Sequence, residues 1–233
     1  MPSATLDDAI MSRMSTRAFA PQAVPADTIT GLLGTAARLV WGSKSPPWSV
    51  HVLQGESRTS LCEKVCAAHE AARAAASSLA REREDYDYYP EKWASPYLDR
   101  RRENGWGLYG LLGIGKTDKD KMHVQHQRNY RFFDAPVGLI FTMHRAWGTS
   151  ALMHYGMFLQ NIMIAACGHG LHTCPQAAWN NFASIILPHV GASADELLVC
   201  GMSLGYADEA ATVNSFYTPR LPVPEFARWI DTS

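Results

Sequence analysis

The sequence has no apolar run of the roughly 18 residues that a membrane-spanning helix needs. Its first ten residues, MPSATLDDAI, are acidic where a secretory leader is basic. The expected location is therefore the cytoplasm, with no membrane partner. An excess of either charge is also missing, since 21 basic residues face 22 acidic ones for a formal net charge of −1. Without a global positive field to hold a phosphate polymer, nucleic acid is not an expected partner. The five cysteines, Cys62, Cys66, Cys167, Cys174 and Cys200, are odd in number and contain no C-x-x-C pair. Neither a disulfide framework nor a zinc ribbon is indicated, and Cys62 and Cys66, one helical turn apart, read as buried thiols.

Metal and nucleotide signatures are scarce as well. No H-E-x-x-H occurs, and although His123/His126 and His169/His172 have i, i+3 spacing, the first pair sits in a strongly polar segment where exposure is the default. No metal site is expected. No G-x-G-x-x-G follows an apolar strand, which disfavours a dinucleotide-binding fold. Residues 110–117, GLLGIGKT, do match G-x-x-x-x-G-K-[ST]. A phosphate loop, however, needs an apolar strand before it and an apolar-faced helix after it. Arg100-Arg101-Arg102-Glu103 precedes and Asp118-Lys119-Asp120-Lys121 follows, so the match reads as coincidence.

What is present is a core: 233 residues at 47% hydrophobic content support one domain over 1–233. Thr5 with Asp8 resembles a capping box opening a helix to about Met14. Pro25 opens a second helix, with Ile29, Leu32, Leu33 and Ala36 on one face. Residues 42–47 read as a loop, 48–53 as a strand, and 57–84 as a long charged helix. From 85 to 115 the composition turns to Tyr, Trp, Pro, Arg and Gly without a period, which suggests an inserted lid or rim. A buried strand is expected over 136–143, an all-round apolar central helix over 155–167, a strand over 196–202 and a terminal helix over 223–230. Helices and strands interleave, so the class is α/β or α+β.

The segment Arg13-Met14-Ser15-Thr16-Arg17 brackets a hydroxyl with two guanidinium groups, a pairing suited to a phosphate monoester. Alone, such a segment is more often a solvated turn. Three further elements follow in order: Gly170-Leu171-His172-Thr173-Cys174-Pro175-Gln176-Ala177-Ala178 after the apolar helix, Gly201-Met202-Ser203-Leu204-Gly205-Tyr206, and Asn214 with Arg220-Leu221-Pro222. Together these resemble the FMN-dependent nitroreductase family over nearly the whole chain. Met14 departs from that family's R-R-S-x-R.

The resemblance implies an α+β fold, a mainly antiparallel sheet flanked by helices, in an intertwined homodimer with FMN at the interface. It implies that Arg13, Met14, Ser15, Arg17 and Arg220 hold the FMN phosphate, that Pro175, Gln176, Ala177 and Ala178 run along the flavin edge, and that Asn129 serves the ring's pyrimidine end. Tyr88-Tyr89-Pro90, Trp93, Pro96-Tyr97 and 129–136 are similar to a branch acting on nitrobenzoate-like acids. The family's A-P-S-x-x-N-x-Q-P-W is altered here to a segment in which Trp41 replaces a small serine by the flavin and Lys44 replaces an amide. Both are expected to touch cofactor or substrate, with Lys44 favouring an anionic aromatic. The implied activity is transfer of hydride from NADH or NADPH through FMN to a nitroaromatic, in a ping-pong cycle. No catalytic side chain is named, because the cofactor carries the chemistry. Two alternatives stay open: another acceptor (reductive dehalogenation, enone reduction or flavin degradation), or flavin binding with little turnover.

Overall fold

The computed structural model describes residues 5–38, 46–74, 86 and 88–230. Helix α1, Leu6–Ser12, opens on the expected capping box: Asp8 N donates to Thr5 Oγ1 at 3.2 Å and Thr5 N donates to Asp8 Oδ2 at 3.0 Å. Helix α2, Ala26–Ala36, starts after Pro25 and turns Ile29, Leu32 and Ala36 inward, with Leu33 beside them. Strand β1 is Trp48–Leu53 and helix α3 is Gly55–Ala74. The expected continuation of α3 to 84, and most of the loop expected over 42–47, lie outside the described residues.

Residues 97–111 form helix α4, where the sequence predicted irregular structure. The reason is legible afterwards: α4 has no buried residue, so no apolar stripe marks its period. Helix α5, Lys119–Gln127, runs into a 3₁₀ segment over Arg128–Asp134, and strand β2 is Val137–His144. Helix α6, Thr149–Gly168, is followed by strand β3, His172–Gln176, a second 3₁₀ segment over Ala177–Phe182, helix α7, Ala183–His189, and strand β4, Glu196–Gly205. β3 was not expected, because its sequence HTCPQ carries proline and little alternation. It is an edge strand, where a proline is tolerated. The terminal helix expected over 223–230 is reduced to one 3₁₀ turn, Val223–Glu225, with Trp229 95% exposed.

The sheet order is β1-β2-β4-β3 and every pairing is antiparallel, so the class is α+β. One face of β2 and β4, including Leu139, Phe141, Met202 and Leu204, packs on α2 and α6. The other face packs Ile140 and Leu198 against α3, α7 and the two 3₁₀ segments. α6 was expected to be covered all round; in the single chain it buries Tyr155, Phe158 and Ile162 but leaves Met153 64% exposed and Met157 exposed beside it.

Two glycines shape the second face. A Cβ at Gly138 would lie 2.5 Å from the Phe132 ring, and one at Gly201 would lie 2.4 Å from Trp179 Cδ1. Both rings are fully buried and stack on each other with centroids 4.3 Å apart. Neither can retreat without repacking its neighbours. Gly201→Ala is therefore expected to lower stability by about 1–3 kcal/mol, the usual penalty of overpacking. Urea unfolding curves of the two proteins measure it.

Candidate functional site

The chain ends build one wall of a cleft. Beyond α1, Thr16 N donates to Thr173 O at 3.0 Å, and Ser15 forms an isolated parallel bridge with Thr173, so residues 13–17 lie alongside β3. Asn214 then locks this segment with three bonds. Its Oδ1 accepts from Arg17 N at 2.8 Å, and its Nδ2 donates to Ala18 O at 2.8 Å and to Asp208 O at 2.9 Å. The following residues fold back so that Phe216, Tyr217, Thr218 and Arg220 face Arg13, Met14, Ser15 and Arg17 across a cavity of about 540 Å³. The sequence quoted Asn214 only as a motif match; its clamping role joins positions 197 residues apart, which no local pattern reveals.

The structure thus brings together five of the predicted residues. Arg13, Met14, Ser15 and Arg17 are half-buried and Arg220 is exposed at the rim. Arg17 Nη1 donates to Ser15 O at 3.2 Å, and Arg220 Nη1 donates to Thr218 O at 2.8 Å. Asn104 of α4 also lines the cavity. Behind Ser15, burial pushes the Cys174 thiol up to about 11, with Arg17 and Ser15 pulling the other way. A thiol so shifted stays protonated near neutrality and is no nucleophile.

Further along β3, Pro175 is exposed, while Ala177 and Ala178 are half-buried. Gln176 is buried and its amide is committed inside the protein: Nε2 donates to Asn129 O at 2.7 Å and Oε1 accepts from Ser203 Oγ at 2.8 Å. Asn129 Nδ2 donates to His126 O at 2.9 Å. Gln176 therefore joins the 175–178 edge to Asn129 rather than projecting outward. Trp41 and Lys44 lie outside the described residues.

Other motifs resolve against chemistry. GLLGIGKT begins at the end of α4, with no strand feeding it, and Lys116 Nζ sits 5.4 Å from the Trp106 ring centroid. Gly201–Gly205 spells G-x-S-x-G, a nucleophile-elbow pattern, but it lies within β4 and Ser203 is fully buried against Gln176. The expectation that the His123/His126 pair is solvated is corrected at His123. Its side chain is 11% exposed, stacked on His69 with centroids 4.2 Å apart and bonded to Glu70 at 2.9 Å.

Residues 10–206 match the Nitroreductase family. The chain belongs to that family. This nitroreductase is 37% identical over 225 residues to the chloronitrobenzene nitroreductase of Comamonas testosteroni, covering 97% of this chain and 96% of that one. It is 37% identical over 214 residues to the 4-nitrobenzoate reductase of Pseudomonas putida, covering 92% and 90%. Among solved structures, the FMN and NADPH-dependent nitroreductase NfnB of Sphigopyxis sp. strain HMH superposes with a TM-score of 0.89 at 32% identity, covering 98% of this chain and 100% of that one. The FMN-dependent NfnB of Mycobacterium smegmatis, solved with NADPH, gives 0.88 at 28% identity, covering 97% of each.

Replacing Asn214 by alanine removes the acceptor for Arg17 N and the donor for two carbonyls in a part-buried setting. Asn214→Ala is expected to lower stability by about 1–3 kcal/mol. Thermal unfolding of the variant checks this.

Proposed function

We propose that this nitroreductase is an FMN-dependent NAD(P)H oxidoreductase that reduces a nitroaromatic to its hydroxylamine by a ping-pong route. One observation carries the reading: Arg13, Ser15, Arg17 and Arg220 converge on one cavity from opposite ends of the chain. A phosphate monoester carries close to two negative charges at neutral pH, and arginine forks with a hydroxyl are suited to it. The cavity is lined by three guanidinium groups and by the hydroxyl-bearing Ser15, Tyr217 and Thr218, with Met14 and Phe216 as apolar neighbours. That donor set fits the phosphate end of FMN.

When bound, FMN would supply the two-electron redox chemistry that links a nicotinamide donor to a nitro acceptor. The protein's own part is to hold and orient. Arg13, Arg17 and Arg220 anchor the phosphate, Pro175 to Ala178 border the ring, and Asn129, fixed through Gln176 and His126, serves its pyrimidine end. Helix α4 reaches the cavity through Asn104, which supports a rim role for that helix. The relatives named for chloronitrobenzene and 4-nitrobenzoate support a nitroaromatic acceptor.

A homodimer belongs to the same reading. The exposed Met153 and Met157 of α6 and the exposed Phe226, Trp229 and Ile230 after β4 are apolar surface that a second copy covers. All five cysteines are thiols, in keeping with the cytoplasm.

The purified chain reconstituted with FMN is expected to oxidise NADH or NADPH when 4-nitrobenzoate or chloronitrobenzene is present, with the hydroxylamine found by mass spectrometry. Flavin that binds but is never reduced by either nicotinamide would overturn the assignment. Arg13→Ala or Arg220→Ala is expected to weaken FMN binding by about 1.5–3 kcal/mol, the loss of one charged donor. Fluorescence titration of FMN measures it, and light scattering should return twice the 25.7 kDa chain mass.

A further inference from the structure

Helix α5 is held to the body with little apolar support. Its one buried residue is the polar Gln127. What faces α3 instead is a set of metal-ligating groups. His123 Nε2 lies 2.9 Å from Glu70 Oε1, and His126 Nδ1 lies 3.4 Å from His69 Nε2. One ligand atom from each of His69, Glu70 and His123 falls within 4.8 Å of the other two. His69 Nδ1 is buried without a hydrogen-bond partner. Two imidazoles and a carboxylate on adjacent turns of two helices form a donor set that apolar packing does not require.

We propose that His69, Glu70 and His123 form a binding site for a borderline divalent cation, Zn²⁺ above all, which clips α5 to α3. Two nitrogen donors and one oxygen donor suit zinc and its first-row neighbours, whereas Mg²⁺ and Ca²⁺ take oxygen. Around a tetrahedral zinc, ligand atoms about 2.0–2.1 Å from the metal stand about 3.3 Å apart. The present 2.9 Å between His123 and Glu70 need open by only about 0.4 Å to reach that spacing, and the remaining ligand separations close by about 1.5 Å at most. The His69 and His123 rings are nearly parallel, 7° between planes, and must splay for both lone pairs to meet one ion. Histidine χ2 is a broad torsion, so this is a side-chain adjustment. Gln127 Nε2, 2.6 Å from Glu70 Oε1, orients the carboxylate, and His126 backs His69. Three protein ligands leave a position for water.

The sequence hid this site because Glu70, the carboxylate that His123 meets, lies 53 residues earlier. Its consequence reaches Asn129, which the proposed function puts beside the flavin. The carbonyl of His126 holds the Asn129 side chain, so fixing α5 fixes Asn129.

The test uses the tag-free, FMN-loaded full chain, freed of metal by chelator and titrated calorimetrically with zinc chloride. One saturable site per chain with a micromolar or tighter Kd is expected, together with a rise in Tm of about 3 °C or more at saturation. His123→Ala should weaken binding at least tenfold. Glu70→Gln keeps the side chain's shape and should do so without loss of fold. Cobalt(II) bound at this site gives visible ligand-field bands and no thiolate charge-transfer band. No saturable binding, full-strength binding in Glu70→Gln/His123→Ala, or a thiolate band placing the ion at cysteines would each overturn the proposal.

Discussion

Phe132 and Trp179 meet ring to ring over a patch of sheet stripped of side chains. Gly138 on β2 and Gly201 on β4 leave room for no methyl group, and the two rings fill that room at 0% exposure. Holding Phe132 there has a backbone consequence. Phe132, Phe133 and Asp134 all take left-handed φ angles, 51°, 52° and 66°. Each non-glycine residue in that region costs roughly 1–2 kcal/mol. Burying each of the two phenylalanines returns about 1.5–3 kcal/mol. The two sums are similar in size, so the strained bend persists because the stack and the Tyr130 contacts with Trp179 and Phe182 add to burial.

That packing positions the two segments proposed to border the flavin. The strained bend follows Asn129, and Trp179 follows Ala178, so the stack pulls together the two segments meant to border the ring. Gln176 then ties them through Asn129 O and Ser203. The proposed phosphate end rests on a separate device: the bridge to Thr173 lays Ser15 and Thr16 beside β3, and Asn214 clamps Arg17 and Ala18. One strand thus sets the two halves of the site at a fixed spacing. Thr173 and Ala177 are four residues apart, about 13 Å along an extended strand.

Legibility in the sequence followed burial. β1, β2, β4 and α6 are apolar or patterned because they meet the core; β1 and β2 were found within one residue of their bounds, β4 runs three residues further and α6 begins six residues earlier. α4 has no buried residue and β3 borrows its order from β4, so neither carried a periodic signal. Val223 to Ile230 looked helical by its apolar spacing, yet Pro222 and Pro224 each remove a backbone donor and the segment has no core to pack on in one chain. The grouping of Arg13, Ser15 and Arg17 at one cavity was legible because they are neighbours in sequence. Asn214 and the His69-Glu70-His123 cluster were not, since each depends on contacts between distant segments.

A chain of net charge −1 offers no long-range pull on a dianion, and at physiological salt a surface charge is screened within about 8 Å. The grip must therefore come from directed bonds at contact. Here the pre-anchoring of the arginines matters. The bonds from Arg220 to Thr218 and Pro219 all leave from Nη1, and that from Arg17 to Ser15 O does too. Each guanidinium is planar, so a tether at Nη1 narrows its range of orientations while Nη2 and Nε keep their donors for a ligand. Ordering a free arginine side chain on binding costs about 0.5–1.5 kcal/mol. Two tethered arginines have met part of that before any ligand arrives, which would let a nearly neutral protein hold a phosphate at the proposed site with few charges, provided the Asn214 clamp keeps residues 13–17 and 216–220 facing each other.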